Sequence, residues 1–137
     1  MGARRKAREL ALQMLYQHDV SGNPPDSIIS TFDDLQKSKP NTREFAIRVF
    51  KGTVEHMEKI DDMIQQQAEN WRMSRMAVVD RNIIRMSVYE FLHEDDTPKL
   101  VIIDEAIEIA KRFGTQKSSQ FINGILDGIL KKYNLAS

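Results

Sequence analysis

The chain contains no cysteine among its 137 residues. This absence excludes disulfide bonds, thiol catalysis, zinc fingers and iron–sulfur clusters, since each of these depends on cysteine sulfur. No apolar run approaches the roughly 20 residues that a membrane-spanning helix requires. The segment from Met1 to Arg8 is rich in arginine and lacks the apolar stretch of a secretory signal peptide. We therefore expect a cytoplasmic protein.

Residue patterns typical of catalytic or metal sites are also missing. The three histidines, His18, His56 and His93, fall in different predicted elements and lack partners at the i, i+4 spacing of a helix face. The Asn123–Gly128 segment has two glycines but not the spacing of a phosphate-binding loop, and there is no nucleophile elbow. The sequence therefore predicts a protein that is not an enzyme and that holds no metal or cofactor.

The length and composition are typical of one globular domain, which we place at residues 1–137. Hydrophobic residues make up 41% and charged residues 29% of the chain. The formal net charge is zero, from 20 basic and 20 acidic residues. However, Arg4, Arg5, Lys6 and Arg8 concentrate positive charge near the N-terminus. A polyanion responds to such a local field rather than to the net charge.

Apolar residues recur at the 3.6-residue period of amphipathic helices along most of the chain. The first helix is predicted over residues 4–18 and ends before Ser21–Pro25, whose glycine and prolines interrupt helices. A second helix is predicted to be capped by Asp26 or Ser27 and to end at Pro40. The N-terminal third of the chain is therefore expected to be helical.

The middle of the chain continues this pattern. Asn41–Glu44 resembles a capping box, and the helix that follows is expected to bend near His56. Trp71 and the Met73–Met76 stretch form a junction. The helix from there to Leu92 is apolar on more than half of its circumference, which predicts a central helix packed on several sides.

Two further helices complete the prediction. Residues 100–103 alone would fit a strand, but the longer helical period through Phe113 outweighs this, and Gly114 is expected to cap the helix. Ser118 or Ser119 is expected to cap the last helix, in which Gly124 and Gly128 favour close packing against another backbone. The predicted fold is an all-α, single-domain bundle of about seven helices.

The first helix carries a second stripe that bears on function. Arg5, Arg8, Leu12 and Tyr16 share a face that is predicted to point away from the apolar stripe. Arginine binds phosphate and tyrosine offers a ring on which a base can stack, so this face favours binding to single-stranded nucleic acid. The alternative is a solvated N-terminus with Tyr16 packed against a neighbouring helix. A membrane surface is less favoured, because this face lacks bulky apolar residues.

The predicted central helix contains a like-charge pair. Arg81 and Arg85 are spaced i, i+4, which is mildly unfavourable unless an acidic group binds them. That group lies either within this chain, for example Asp80, or on a partner protein. Both alternatives remain open at this point.

Four segments carry motifs that are more specific than composition or periodicity. They are Arg4–Glu9 leading to Leu15–Tyr16, Asp80–Arg81 leading to Arg85 and Tyr89–Glu90, Ile103–Gly114, and Phe121–Asp127. In this order and spacing they resemble the NusB family of bacterial transcription antitermination factors, over residues 4–133. The resemblance implies an all-helical fold without catalytic activity.

The resemblance also implies partners. Such proteins pair with NusE, a small-subunit ribosomal protein, and together bind single-stranded boxA RNA. The resulting complex with RNA polymerase supports transcription of ribosomal RNA. Residues matching the RNA-facing positions of the family are Arg4, Arg5, Lys6, Arg8, Tyr16, Gln116, Lys117, Ser118, Ser119 and Phe121. Residues expected to face the protein partner are Asp80, Arg81, Arg85 and Tyr89.

Lys117 departs from the family, which often has an acidic residue near this position. A cation there is expected to strengthen RNA contact and to reduce dependence on NusE.

If the basic face of the first helix binds RNA, replacing Arg5 and Arg8 by alanine should weaken RNA binding with little loss of thermal stability.

Two alternative functions remain. The fold also resembles the N-terminal domain of a ribosomal RNA cytosine methyltransferase, but that enzyme needs a further domain with a catalytic cysteine. The second alternative is a self-associating helical interaction module without specific RNA binding. Some proteins of the family form homodimers that cover the basic end, so a homodimer is compatible with either function.

Overall fold

Eight α-helices and one short 3₁₀ turn form the part of the chain that the structure describes, residues 2–135 of a computed structural model. Met1, Ala136 and Ser137, which the single-domain prediction also includes, lie outside the described residues. The helices are α1 (Gly2–Ser21), α2 (Pro25–Thr31), α3 (Asp33–Gln36), α4 (Pro40–Glu55), α5 (Met57–Gln67), α6 (Val78–His93), α7 (Lys99–Phe113) and α8 (Ser118–Lys132), with the 3₁₀ turn at Met73–Arg75. The all-α prediction is confirmed, with one more α-helix than expected.

Helix α1 begins and ends as its sequence suggests. Alanine, leucine and arginine favour a helix through its length, and Gly22 ends it in the left-handed region at φ 75°. The predicted apolar stripe is fully buried. Its members are Ala7, Leu10, Ala11, Met14 and Leu15.

The predicted starts of the next helices were wrong, because proline begins these helices rather than ending them. Pro25 and Pro40 are the first residues of α2 and α4, where a fixed φ suits the helix and the missing N–H costs nothing. Asp26 and Ser27 therefore lie inside α2 and do not cap it. Asn41–Glu44 likewise lies inside α4 and forms no capping box.

The middle of the chain agrees with the prediction. His56 separates α4 from α5, and the chain turns at Met73–Arg75 before α6. Helix α6 contacts α1, α4, α5, α7 and α8, which confirms it as the central helix. No helix within residues 2–135 is both long enough and apolar enough to cross a membrane.

The glycine predictions are confirmed in part. A Cβ at Gly128 would overlap the Gln67 side chain, so packing is close there, although the neighbour is a side chain rather than a backbone. Gly124 has no atom of another residue near the position of a Cβ, so the prediction of close packing was wrong for it. Gly114 ends α7 in an extended conformation, with Ser118 packed against it.

Ion pairs along α1 give the relative directions of three helices. They are, in order along α1, Arg5 with Glu105, Arg8 with Glu90, Glu9 with Arg112, and Asp19 with Arg81. Helix α1 is therefore parallel to α7 and antiparallel to α6. The end of α1 lies beside the start of α6, because Asp19 pairs with Arg81. The start of α6 also lies beside the start of α8, because Asp80 lines one cavity with Lys117 and Ser118. We call the region where these three helix ends meet the upper end of the molecule.

Candidate nucleic-acid interface

Arg8 lies inside the molecule rather than on an exposed face. Its Nε and Nη2 donate to the two carboxylate oxygens of Glu90, each at 2.8 Å. The Arg8 side chain is 5% exposed and that of Glu90 is 1% exposed. Leu12, on the same stripe, is buried in the core. The prediction that this stripe points outward was therefore wrong at Arg8 and Leu12, because α1 packs against α4, α6 and α7 and little of its circumference is free.

Arg5 is only partly available to a ligand. Its Nε and Nη2 donate to the two carboxylate oxygens of Glu105 at 2.8 and 2.7 Å. The hydrogen bond from Arg5 lowers the pKa of the Glu105 carboxyl below its ordinary value. The Arg5 side chain remains 32% exposed, and its charge is already balanced within the fold.

Two basic residues at the start of α1 keep unbalanced charges. Arg4 and Lys6 are exposed, and neither forms an ion pair with another described residue. The guanidinium carbon of Arg4 lies 4.0 Å from the centre of the Phe45 ring, a cation–π contact that holds this arginine at the surface. These two cations are the part of the basic N-terminus that an anion can reach.

Tyr16 remains at the surface, three turns further along α1. It is 44% exposed, so the alternative in which it packs against a neighbouring helix was wrong. Its phenol ring is free to contact a planar ligand.

The start of α8 combines exposed and buried positions. Gln116 and Lys117 are exposed, Ser119 is partly exposed, and Ser118 is buried. The Ser118 hydroxyl accepts a hydrogen bond from the Thr115 N–H at 2.9 Å and thereby stabilises the turn before α8. Ser118 does not cap α8, so the prediction that it would do so was wrong. No other side chain caps α8 either, which leaves backbone N–H groups at its first turn.

Most of the four residues expected to face a protein partner form contacts within the chain instead. Arg81 donates to Asp19 and to the carbonyl oxygen of Met73, while Arg85 donates to Asp61 and Asp19, all at 2.8–3.0 Å. The intramolecular alternative is therefore confirmed, with Asp19 and Asp61 rather than Asp80 as partners. Burial alone would raise the pKa of Asp19, but hydrogen bonds from Asn82 and Arg81 lower it below its ordinary value.

Tyr89 and Asp80 are the other two residues that were expected to face a protein partner. Tyr89 is buried, with its ring against Gly52 and stacked on His93, so it does not form part of a free surface. Asp80 is partly exposed, and its Oδ1 is buried without a hydrogen-bond partner among the described residues. Asp80 is thus the one member of the four that keeps an unbalanced charge.

The structure brings two histidines together that the sequence places far apart. The rings of His56 and His93 lie 4.4 Å apart between centres. Burial, and then the charge of His56, lower the pKa of His93 below its ordinary value. Within residues 2–135, no group of three or more side chains is arranged to hold a metal ion.

Sequence reasoning missed several residues that shape this surface. The acidic partners Asp19, Asp61, Glu90 and Glu105 are distant in sequence from the arginines they bind, so no local pattern identifies them. Trp71 is 54% exposed and its ring centre lies 6.0 Å from that of Phe121. The signal in the sequence that could have identified Trp71 was its position next to Arg72, in a segment predicted to be a junction between helices.

Comparison with known proteins identifies relatives over nearly the whole chain. The model of the NusB family matches residues 5–131. The transcription antitermination protein NusB of Desulforapulum autotrophicum is 46% identical over 133 residues, covering 94% of this chain and 92% of that protein.

Solved structures share the fold. NusB of T. maritima superimposes with a TM-score of 0.87 at 42% identity, covering 94% of this chain and 91% of that chain. A chain from the crystal structure of antitermination factors NusB and NusE in complex with dsRNA gives a TM-score of 0.87 at 25% identity, covering 97% of this chain and 99% of that chain. Since the sequence match and the helical fold agree over the same residues, the chain belongs to the NusB family.

Proposed function

We propose that this chain is a non-catalytic transcription antitermination factor that binds single-stranded boxA RNA together with NusE. The observation that carries the RNA and NusE parts of the proposal is the likeness, over 97% of this chain, to a chain solved with NusE and dsRNA. The single-stranded boxA preference is part of the proposal and is supported by the exposed Tyr16 ring next to basic residues. Relatives named transcription antitermination protein NusB support the same role. In this role the protein joins an RNA polymerase complex and supports transcription of ribosomal RNA.

The RNA surface that we propose contains fewer residues than the sequence predicted. Arg4, Lys6 and Lys117 supply the charge, because they are exposed and form no ion pair with another described residue. Tyr16 supplies a stacking surface and Gln116 an exposed amide. Arg5, Ser119 and Phe121 are partly exposed and lie at the margin of this surface.

Arg8 and Ser118 act in this proposal as positioning residues. Arg8 holds α1 against α6 through Glu90, and Ser118 holds the turn before α8 through the Thr115 N–H. Neither side chain reaches solvent to contact RNA. Their replacement is expected to affect RNA binding only through the fold.

NusE is proposed to bind a neighbouring face that includes Asp80, whose carboxylate forms no ion pair with another residue of 2–135 and which lines one cavity together with Lys117. If NusE tightens RNA binding, RNA must tighten NusE binding by the same factor, because the coupling free energy is reciprocal. The joint complex is thus expected to hold RNA more tightly than this protein alone.

Fluorescence anisotropy with a labelled boxA-like RNA and a scrambled control, with and without purified NusE, tests the proposal. We expect preferential binding of the boxA-like RNA, tightened by NusE. With three unpaired cations, log K should fall with log salt at a slope of about −2. Replacing Arg4 and Lys6 together by alanine should make the salt slope less steep and should weaken the binding of both RNAs.

Lys131 provides the matched control, since it is an exposed cation that is already paired with Asp127 at 2.9 Å. Lys131→Ala should leave the affinity and the salt slope close to those of the wild type. Equal and weak binding of both RNAs, with or without NusE, would contradict the proposal and favour a self-associating helical module.

A further inference from the structure

Trp71 is the single tryptophan of the chain and is held at the surface. Its backbone is fixed by Gln65, whose Nε2 donates to the carbonyl oxygens of Ala68 and Trp71 at 3.0 and 3.1 Å. The Gln65 Oε1 accepts the Met73 N–H at 3.0 Å. A well-anchored backbone therefore presents an indole that is 54% exposed, although burying so large an apolar ring would be favourable.

Unpaired cations surround this ring. Arg72 and Arg75 are exposed, form no ion pair with another residue of 2–135, and line a surface depression of about 530 Å³ together with Trp71. Trp71 also lines a second cavity, of about 310 Å³, together with Phe121 and Lys117. The indole is thus a wall shared by two cavities that contain three positive side chains.

Two acidic residues also lie at this site. Glu69 lines the first depression and Asp80 lines the second cavity. The Oδ1 atom of Asp80 is shielded from solvent. Three cations on long side chains therefore outweigh two carboxylates in the field around the ring. This charge balance favours an anionic ligand with a planar group over a basic or purely apolar partner.

We propose that Trp71 is a stacking platform for an unpaired base of single-stranded RNA, with Arg72, Arg75 and Lys117 binding the adjacent phosphates. Aromatic rings next to arginines bind single strands in this way, because every base has a face that can stack and every nucleotide carries a phosphate. The inference rests on the proposed function and adds to it a binding site that is separate from the start of α1.

The position of the site in the fold agrees with a path for one RNA strand. Arg81 donates both to Asp19 near the end of α1 and to the carbonyl oxygen of Met73 in the 3₁₀ turn. The Trp71 site and the end of α1 that carries Tyr16 therefore both lie at the upper end of the molecule. Two exposed aromatic rings at one end can stack different bases of the same strand.

The intrinsic fluorescence of the wild-type protein tests the proposal, because Trp71 is its only tryptophan. Titration with an unlabelled single-stranded boxA-like RNA should quench this fluorescence with the same midpoint as the anisotropy of labelled RNA. Trp71→Ala should weaken RNA binding about tenfold, and Trp71→Phe should keep most of the affinity. If Arg72 and Arg75 also bind phosphates, five cations rather than three set the wild-type salt slope, which should then be about −3.5. Replacing Arg72 and Arg75 by alanine should return it to about −2.

Leu100→Ala is the matched control, since Leu100 is an exposed apolar side chain at the start of α7, away from the upper end. It should leave RNA binding unchanged. Wild-type protein that binds RNA without quenching, together with unchanged affinity of Trp71→Ala, would overturn this inference and leave the proposed function standing. If Trp71→Ala weakens NusE binding but not RNA binding, the surface is a protein-docking site and the inference is wrong. If the wild type binds no RNA, both proposals fail.

Discussion

Arg8 is an arginine whose role is to stabilise the fold. Its guanidinium and the Glu90 carboxylate are almost completely removed from water, and each satisfies the other through two hydrogen bonds. A second carboxylate, that of Glu105, lies 3.8 Å from the Arg8 Nη1. Removing one member of such a pair leaves a buried charge without a partner, which costs more than the pair itself contributes.

Arg8→Ala is therefore expected to lower the free energy of unfolding by about 3–5 kcal/mol, because Glu90 would be left buried and unpaired. This reverses the expectation from sequence that Arg8 can be replaced with little loss of stability. Urea denaturation followed by circular dichroism measures the difference. Arg4→Ala, which removes an exposed arginine of the same helix, should change stability by less than about 1 kcal/mol. Equal stability of the two variants would show that the Arg8–Glu90 pair is not structural.

At the scale of helices, small residues decide how closely neighbouring elements approach. Gly52 in α4 faces Tyr89 in α6, and a Cβ at this position would overlap the tyrosine ring. The ring is also stacked on His93, which limits its movement. Gly124 in α8, by contrast, has open space where a Cβ would lie.

The two glycines are therefore expected to respond to alanine in opposite directions. Gly52→Ala should lower the free energy of unfolding by about 1–3 kcal/mol, since overpacking outweighs the better helix propensity of alanine. Gly124→Ala should raise it by up to about 1 kcal/mol, because only the propensity changes. Thermal unfolding of both variants beside the wild type gives the signs. Stabilisation by Gly52→Ala would contradict the close packing at Gly52, and destabilisation by Gly124→Ala would contradict the open space at Gly124.

For the whole molecule, buried and partly buried carboxylates join the helices. Glu105 of α7 and Asp19 of α1 both have a pKa below the ordinary value, because Arg5 hydrogen-bonds to the charged form of Glu105, and Asn82 and Arg81 hydrogen-bond to that of Asp19 against the opposing effect of burial. Asp19 receives hydrogen bonds from Arg81, Asn82 and Arg85 at 2.9–3.0 Å. Protonation of these carboxyls thus weakens contacts that hold α1 against α6 and α7.

Stability is expected to depend on pH in the acidic range with a definite sign. When the folded pKa is lower than the unfolded pKa, the unfolded chain binds more protons, so stability is fully present above about pH 4.5 and is lost as the pH falls. Urea unfolding at a series of pH values from 7 to 3 measures the slope. Glu105→Gln should flatten it, whereas Asp104→Asn, at an exposed neighbouring position, should not. Stability that stays constant down to pH 3 would contradict this role of the carboxylates.

The sequence by itself determined the class of fold and most of its elements. Local apolar periodicity predicted α1, α6, α7 and α8, since each buries a face at the 3.6-residue spacing that a helix imposes. The bend at His56 and the end of α1 near Gly22 also follow from local chemistry. The predicted starts of α2 at Asp26 or Ser27 and of α4 at Asn41 were wrong, since these helices begin at Pro25 and Pro40. Proline either ends one helix or begins the next, and only the surrounding backbone distinguishes the two cases.

The tertiary structure alone decided which charged residues remain available for binding. Periodicity shows that Arg5, Arg8 and Tyr16 share a face of α1, but not that three other helices cover most of that helix. The acids that bind Arg5, Arg8 and Arg81 lie at least 62 residues away along the chain, so only the folded chain brings them together. Desolvation and pairing then remove those arginines from the binding surface, while Arg4, Lys6 and Lys117 remain exposed because no carboxylate of the described chain reaches them.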